Sequence, residues 1–345
     1  MGIMGMNGFE ARRLEDDGII QIGGGASLVY DTRVPIASAS LRSLESNIQI
    51  GVQPWISGEQ AGGTRIEPSG DEYWFHFEWL PTGSGNSLGP NHIGVSRNQT
   101  KVVTISKEAT TNFVQIYVAN VLRATGTVPF AINRFNRVHV FVDQTVGGNV
   151  EVYFEGDLVT PVLTYTLVAG DISALPGKPN EFYFDHGHSG VSYLDDVFAM
   201  DPNDAVAPTD INDLANASVQ PSFIDGNGFY TDWTGDFTDI DEVPADDADF
   251  IEATAVNQAS TFDCGDTTLD NVFFVQTKWR MTRTGTTAGV NVQIRQRLGT
   301  TDLDEAITTA PGSGNVIQHH ATDATGAAWS VAGFNGSQFG PVSRT

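Results

Sequence analysis

The residues that could do chemistry fall into a few short groupings. Glu151 and Glu155 bracket Val-Tyr-Phe. Alternation along a strand would set both carboxylates on one face, and two positioned carboxylates are the requirement for glycoside hydrolysis. Asp195 and Asp196 are adjacent carboxylates and a candidate site for Ca²⁺, with Asp185 and nearby loops to complete about six to eight oxygen ligands. The competing reading has Asp196 bonding local backbone at a strand edge. His186-Gly-His188 would place two imidazoles on one side of an extended segment, with further ligands supplied only by a symmetric copy; exposed loop histidines are the simpler expectation. His319 and His320 would point to opposite faces of a strand, which excludes a shared metal. The acidic stretch Asp225–Asp249 lacks the Asp-x-Asp-x-Asp-Gly spacing of a calcium loop and reads as a solvated loop anchored by Trp233 and Phe250. No G-x-S-x-G elbow, H-E-x-x-H pair or phosphate loop occurs.

Aromatic residues form the other grouping. In Tyr73-Trp-Phe-His-Phe-Glu-Trp79, one face takes Tyr73, Phe75, Phe77 and Trp79, and the other takes Trp74, His76 and Glu78. The first face reads as core. Trp74 on the second is a candidate for sugar stacking, against the simpler reading of packing.

The 345 residues carry a net charge of −24, with only four lysines and no Lys or Arg between Pro179 and Thr277. A phosphate-binding groove needs clustered cations, so nucleic-acid binding is excluded, and an anionic membrane surface would repel the chain. Acidic surfaces favour solubility and suit a saline setting. The lone Cys264 rules out an intrachain disulfide and reads as a small packed residue. Met1–Glu10 has no basic and apolar regions of a secretory signal, and no apolar run reaches the ~18 residues of a membrane helix. Synthesis in a cytoplasm is therefore expected, with no membrane insertion. Three Asn-X-Ser/Thr matches, at Asn98, Asn216 and Asn335, carry little meaning in such a chain.

The elements that must position these groups are strands. Val102–Ser106, Phe113–Val118, Arg137–Asp143 and Val150–Phe154 are short, β-branched and alternating. Asp143–Asn149 and Glu155-Gly-Asp157 are the turns between and after them. Later strands are expected over Asn271–Arg283 and Val290–Leu298, joined by a hairpin-like turn at Gly285–Gly289, and near Asn315–His319 and Trp329–Phe334. Ala11–Asp17 and Asp210–Ala217 are the best helical segments, both weak. The chain is expected to be all-β and to divide into residues 1–204, a polar linker at 205–222 with Pro208 inside it, and a smaller β-sandwich at 223–345.

Val150-Glu-Val-Tyr-Phe-Glu-Gly156 followed by Tyr193-Leu-Asp-Asp-Val-Phe198 resembles the last strands of the concanavalin A-like, laminin-G-like jelly-roll family, over roughly residues 8–204. Glucanases of that fold carry E-x-D-x-E, and Tyr153 stands where the central Asp belongs, so the resemblance implies no catalysis. Asp232-Trp233, Ile240-Asp-Glu-Val-Pro244 through Phe250, Thr261-Phe-Asp263 and Trp329 through Gln338-Phe-Gly340 look like a module attached to jelly rolls in tailed-phage virion proteins. The resemblance implies a non-enzymatic virion component of tail, collar, fibre or capsid decoration. It would contact other virion proteins and copies of itself as a homo-oligomer, with Trp74, Trp233, Phe250 and Trp329 as candidate ligand or interface residues. The alternative is an adhesin module binding host-surface glycan. No cofactor is expected apart from Ca²⁺ at Asp195 and Asp196.

Overall fold

The computed structural model describes residues 2–7, 19–21, 27–30, 42–46, 49–52, 68–81, 92–97, 100–185, 192–202, 222–241, 248–283, 291–309 and 313–345. Those up to Pro202 and those from Ser222 onward belong to two compact units. Both are built from antiparallel strands.

In the first unit, one sheet runs in the order β13 (Leu163–Thr166), β12 (Asn149–Phe154), β11 (Asn136–Asp143), β6 (Glu72–Pro81), β15 (Ser192–Asp201), β4 (Arg42–Ser46) and β3 (Ser27–Tyr30), with β1 (Gly2–Asn7) also on β15. The second runs β10 (Val121–Pro129), β9 (Phe113–Val118), β8 (Thr100–Lys107), β7 (His92–Arg97), β14 (Glu181–Asp185), β5 (Gln49–Val52) and β2 (Ile19–Gln21). Neighbours distant in sequence, such as β11-β6-β15 and β7-β14-β5, are the wiring of a jelly-roll sandwich.

Alternation explains the core. Tyr73, Phe75, Phe77 and Trp79 point inward with Val138, Val140, Val142, Val150 and Val152, and meet Ile93, Val95, Val103, Ile105, Val114, Ile116 and Val118 of the other sheet. Phe182 sets its ring edge against Phe75 and Phe77, each at 6.1 Å. Each such buried side chain contributes roughly 1.5–3 kcal/mol. The β9–β10 hairpin turns on Ala119 and Asn120, both at positive φ, the backbone of a type I′ turn.

The edge strands β10 and β13 are tied together by a buried carboxylate. Asp171 in α1 (Ala169–Ala174) pairs with Arg123 at 2.5 Å, accepts from the Tyr165 hydroxyl at 2.8 Å, and accepts from the Val168 N–H at 3.1 Å. This clasp links the two sheets at one lateral edge.

The second unit packs a six-stranded sheet against a two-stranded one. The larger runs β16 (Ile224–Thr231), β17 (Ser260–Cys264), β23 (Ser337–Arg344), β19 (Asn291–Leu298) and β20 (Thr301–Asp304), with β21 (Thr308–Thr309) also on β19. The smaller pairs β18 (Val275–Thr282) with β22 (Ser313–His320). Trp279 fills the space between them, against Phe262 at 6.1 Å and against Val292 and Ile294.

Three local expectations are corrected. β18 and β19 do not pair as a hairpin; they lie in different sheets, because β23 and β20 occupy the two edges of β19 and leave β18 to pack across the core. Trp329–Phe334 is not a strand. The Ser330 hydroxyl accepts from the Gly333 N–H at 2.9 Å and caps α2 (Val331–Asn335), which stops at Gly336. The start of the acidic stretch is strand β16 and not irregular loop, its alternation hidden by Gly226 and Gly228. Ala11–Asp17, Asp210–Ala217 and Gly285–Gly289 lie outside the described residues.

Candidate functional site

The outward face of the eight-stranded sheet is the first candidate, because it is not the wet face that alternation alone would make it. Across β6, β11 and β12 the register sets Trp74 beside Phe141 and Glu151, His76 beside His139 and Tyr153, and Glu78 beside Arg137. Trp74, His76, Glu78, Arg137, His139 and Tyr153 are all buried, whereas Phe141 and Glu151 are half-buried and mark the open end of the row.

The Trp74 ring meets Phe141 at 5.0 Å and Tyr153 at 5.6 Å. The Tyr153 hydroxyl donates to Glu151 Oε2 at 2.5 Å, and burial followed by that carboxylate raises the phenol's pKa. His76 and His139 bring their Nδ1 atoms to 3.2 Å, and Phe198 stacks on His76 at 4.4 Å. Only one of two such nitrogens can carry the shared proton, so one ring donates and the other accepts across the contact. Burial, then His139 and Arg137, hold His76 well below the usual histidine range. Glu78 Oε1 takes two bonds from Arg137, at 2.9 Å from Nε and 2.7 Å from Nη2. Burial raises the Glu78 pKa against the pull of Arg137. Among the described residues, Glu78 Oε2 and His76 Nε2 are buried with no hydrogen-bond partner.

The expected carboxylate pair does not form by alternation. Glu155 follows the end of β12 at φ 56°, its N–H donates to the Arg137 carbonyl, and its carboxylate meets exposed Arg134 at 3.2 Å. Asp196 also sits at positive φ (47°), fully buried, within an irregularity in the β15–β6 register between Asp195 and Phe198. There β15 passes from β4, paired at Ser192–Leu194, to β1, paired at Val197–Asp201. The adjacent aspartates therefore carry a β-bulge. The side chains of Asp195 and Asp185, and His186 and His188, lie outside the described residues; among those described, no group of three metal-ligating side chains gathers.

The second unit holds a different candidate. Phe229 exposes 65% of its surface yet is held from below by the Arg297 guanidinium, 3.9 Å from the ring centroid, and from the side by Tyr230 at 5.0 Å. Its N–H donates to Gln338 Oε1 at 2.8 Å. Arg297 is itself paired with Asp302 at 2.6 Å, and the Tyr230 hydroxyl donates to the same carboxylate at 2.5 Å.

Trp233 is half-buried, its indole N–H donating to the Gln258 carbonyl at 3.0 Å. Phe250 projects into solvent at 61% exposure. Trp329 lies inside the second unit, its indole N–H on the His320 carbonyl at 2.7 Å. His320 bridges Glu305 and Thr277, both at 3.0 Å, while His319 points away to Gln276 at 3.0 Å. Sequence reasoning missed the His76–His139 and Glu78–Arg137 pairs and the Phe229–Arg297 stack. Their partners are about 60 residues apart and become neighbours only through strand register.

No protein-family model matches the chain, and no curated protein matches it. Solved structures with a partial likeness include the receptor-binding domain of botulinum neurotoxin type G (12% identity, 62% of this chain and 51% of that one, TM-score 0.37). The chain thus spans about half the length of that domain. Others are the cellulose-induced protein Cip1 (12% identity, 56% and 96%, TM-score 0.38) and the carbohydrate-binding module CBM66 from Bacillus subtilis (10% identity, 52% and 93%, TM-score 0.33).

Proposed function

We propose that the chain is a non-catalytic binding module whose first unit takes a glycan at the open end of the outward sheet face. The observation that carries this reading is the trio Trp74, Phe141 and Tyr153 beside Glu151, half-open at Phe141 and Glu151. Aromatic faces pack against the apolar C–H faces of a sugar ring, and a carboxylate beside them accepts from its hydroxyls. A role in turnover is disfavoured because Tyr153 engages Glu151 and Glu155 has left the strand. Glycan-array screening followed by calorimetry, with and without calcium, tests it. Phe141→Ala is expected to weaken any hit at least about tenfold at unchanged fold. Absence of every hit, or hydrolysis that Glu151→Gln abolishes, would sink it.

A second reading is a structural component of a tailed-phage virion, made in the host cytoplasm and working through contacts with other virion proteins or with copies of itself. The exposed rings of Phe223, Phe229 and Phe250 in the second unit support a contact role. Immunogold labelling of virions tests the location: label on the tail tip fits adhesion, label over the head fits decoration, and unlabelled particles reject the reading.

A further inference from the structure

We infer that the Phe229 face of the second unit docks a basic, apolar segment of a different protein and not a second copy of this chain. The inference rests on the contact reading for this unit and adds the sign of the partner.

The ring is prepared for contact. One face lies on Arg297 and the other is open to solvent. Its backbone is fixed by Gln338, whose Nε2 is in turn committed to Asp263 at 3.0 Å. Gly228 allows β16 to lie this close: a Cβ there would come 2.6 Å from Thr261 Oγ1. A ring already immobilised loses little freedom when a partner covers it. Phe223 and Phe250, 48% and 61% exposed, are further exposed rings on the same stretch of chain.

The unpaired charges of this stretch of chain select the partner. The guanidinium under Phe229 is held by Asp302, and Arg295 over Tyr230 and Arg344 are both held by Asp304, so each of these cations is already committed to a carboxylate. Register sets Asp225 of β16 beside Asp263 of β17, because its neighbours Ile224 and Gly226 pair with Cys264 and Asp263. Asp232, Asp236, Asp249 and Glu252 are exposed along the following turns. The sequence supplies no Lys or Arg between Pro179 and Thr277 to offset them. A second copy would bring the same carboxylates to a molecule already at −24, and like charges across an interface suppress association. A partner with lysines or arginines between apolar side chains meets both features.

The test is fluorescence anisotropy with labelled ten-residue peptides, one alternating lysine and leucine and one alternating glutamate and leucine, at low and high salt. Sedimentation of the intact chain runs beside it. The lysine peptide is expected to bind, to weaken at least about tenfold on raising the salt, and to weaken at least about fivefold in Phe229→Ala. That side chain is exposed, so circular dichroism of the variant should be unchanged. Preference for the glutamate peptide, or self-association that Phe229→Ala dissolves, overturns the inference and leaves the contact reading standing. Equal binding of the lysine peptide by Phe229→Ala places the contact elsewhere and overturns the inference. Binding of neither peptide, with no self-association, overturns the inference, while the contact reading stands or falls with the virion labelling.

Discussion

Glu78 and Arg137 face each other across β6 and β11 with one carboxylate oxygen receiving both guanidinium bonds, while the second oxygen is buried without a partner among the described residues. A pair removed from water in this way stabilises little as a whole, yet breaking it strands a charge. Glu78→Leu or Arg137→Met alone should lower urea-unfolding stability by about 3–5 kcal/mol, and the double variant should recover most of that loss. Additive losses would show that the pairing is not what holds these residues.

The His76–His139 contact gives the first unit an acid-sensitive element. His76 is held below the usual 6.5 and stays neutral when folded. Below that pH the unfolded chain takes up a proton that the folded chain refuses, so the contribution is fully present above pH 6.5 and is lost as pH falls. The slope is at most about 1.4 kcal/mol per pH unit for one group. His319, pushed down to about 3 by burial and then by His320, adds a parallel loss in the second unit. His76→Phe should make the unfolding free energy of the first unit less steep between pH 6.5 and 4; an unchanged slope would remove His76 from the account.

The bulge at Asp196 requires a left-handed backbone, which a β-branched residue resists. Asp196→Val should cost roughly 1–3 kcal/mol, and Asp196→Asn less. On the bulge reading, millimolar Ca²⁺ leaves the melting temperature unchanged. A calcium-dependent rise lost in Asp195→Asn would instead assign the aspartates to a metal.

Gly340 in β23 passes so close to β17 that a Cβ would sit 1.8 Å from the Ser260 carbonyl oxygen. Gly340→Ala should destabilise the second unit by about 1–3 kcal/mol, or prevent its folding, through forced separation of the two strands. Native stability in a thermal melt would show that the strands part without cost.

Asp171→Asn should loosen the β10–β13 edge, because Arg123 loses its ion pair and the Tyr165 hydroxyl its charged acceptor. A loss of about 1–3 kcal/mol is expected in chemical denaturation. Faster hydrogen exchange at Tyr165 and Val168 should accompany it.

Much of the fold was readable in advance. Val138, Val140 and Val142 alternate as inward residues should, and Gly147, Glu155 and Gly156 sit at positive φ in the turns where turn residues were expected. The Trp329 to Gly340 motif also becomes physical: Trp329 and Phe339 are core and Gly340 is a close approach, so these residues specify a framework. Less of the candidate site was legible. Trp74 stands out in the sequence, but its partners Phe141 and Tyr153 lie on other strands, and Phe229 sits in an acidic, glycine-interrupted stretch whose composition resembles loop.

By itself the chain of residues determined the local choices: strand periods, turn positions, inward faces and the acidic charge, all of which depend on neighbours within a few positions. Only the tertiary structure decided which strands became neighbours, and so which polar groups were buried together. Register over about 60 residues put His76 on His139 and Glu78 on Arg137, and passage to another strand put Arg297 under Phe229. No local pattern encodes such pairings, because the free energy that selects them comes from closing two sheets on a common core.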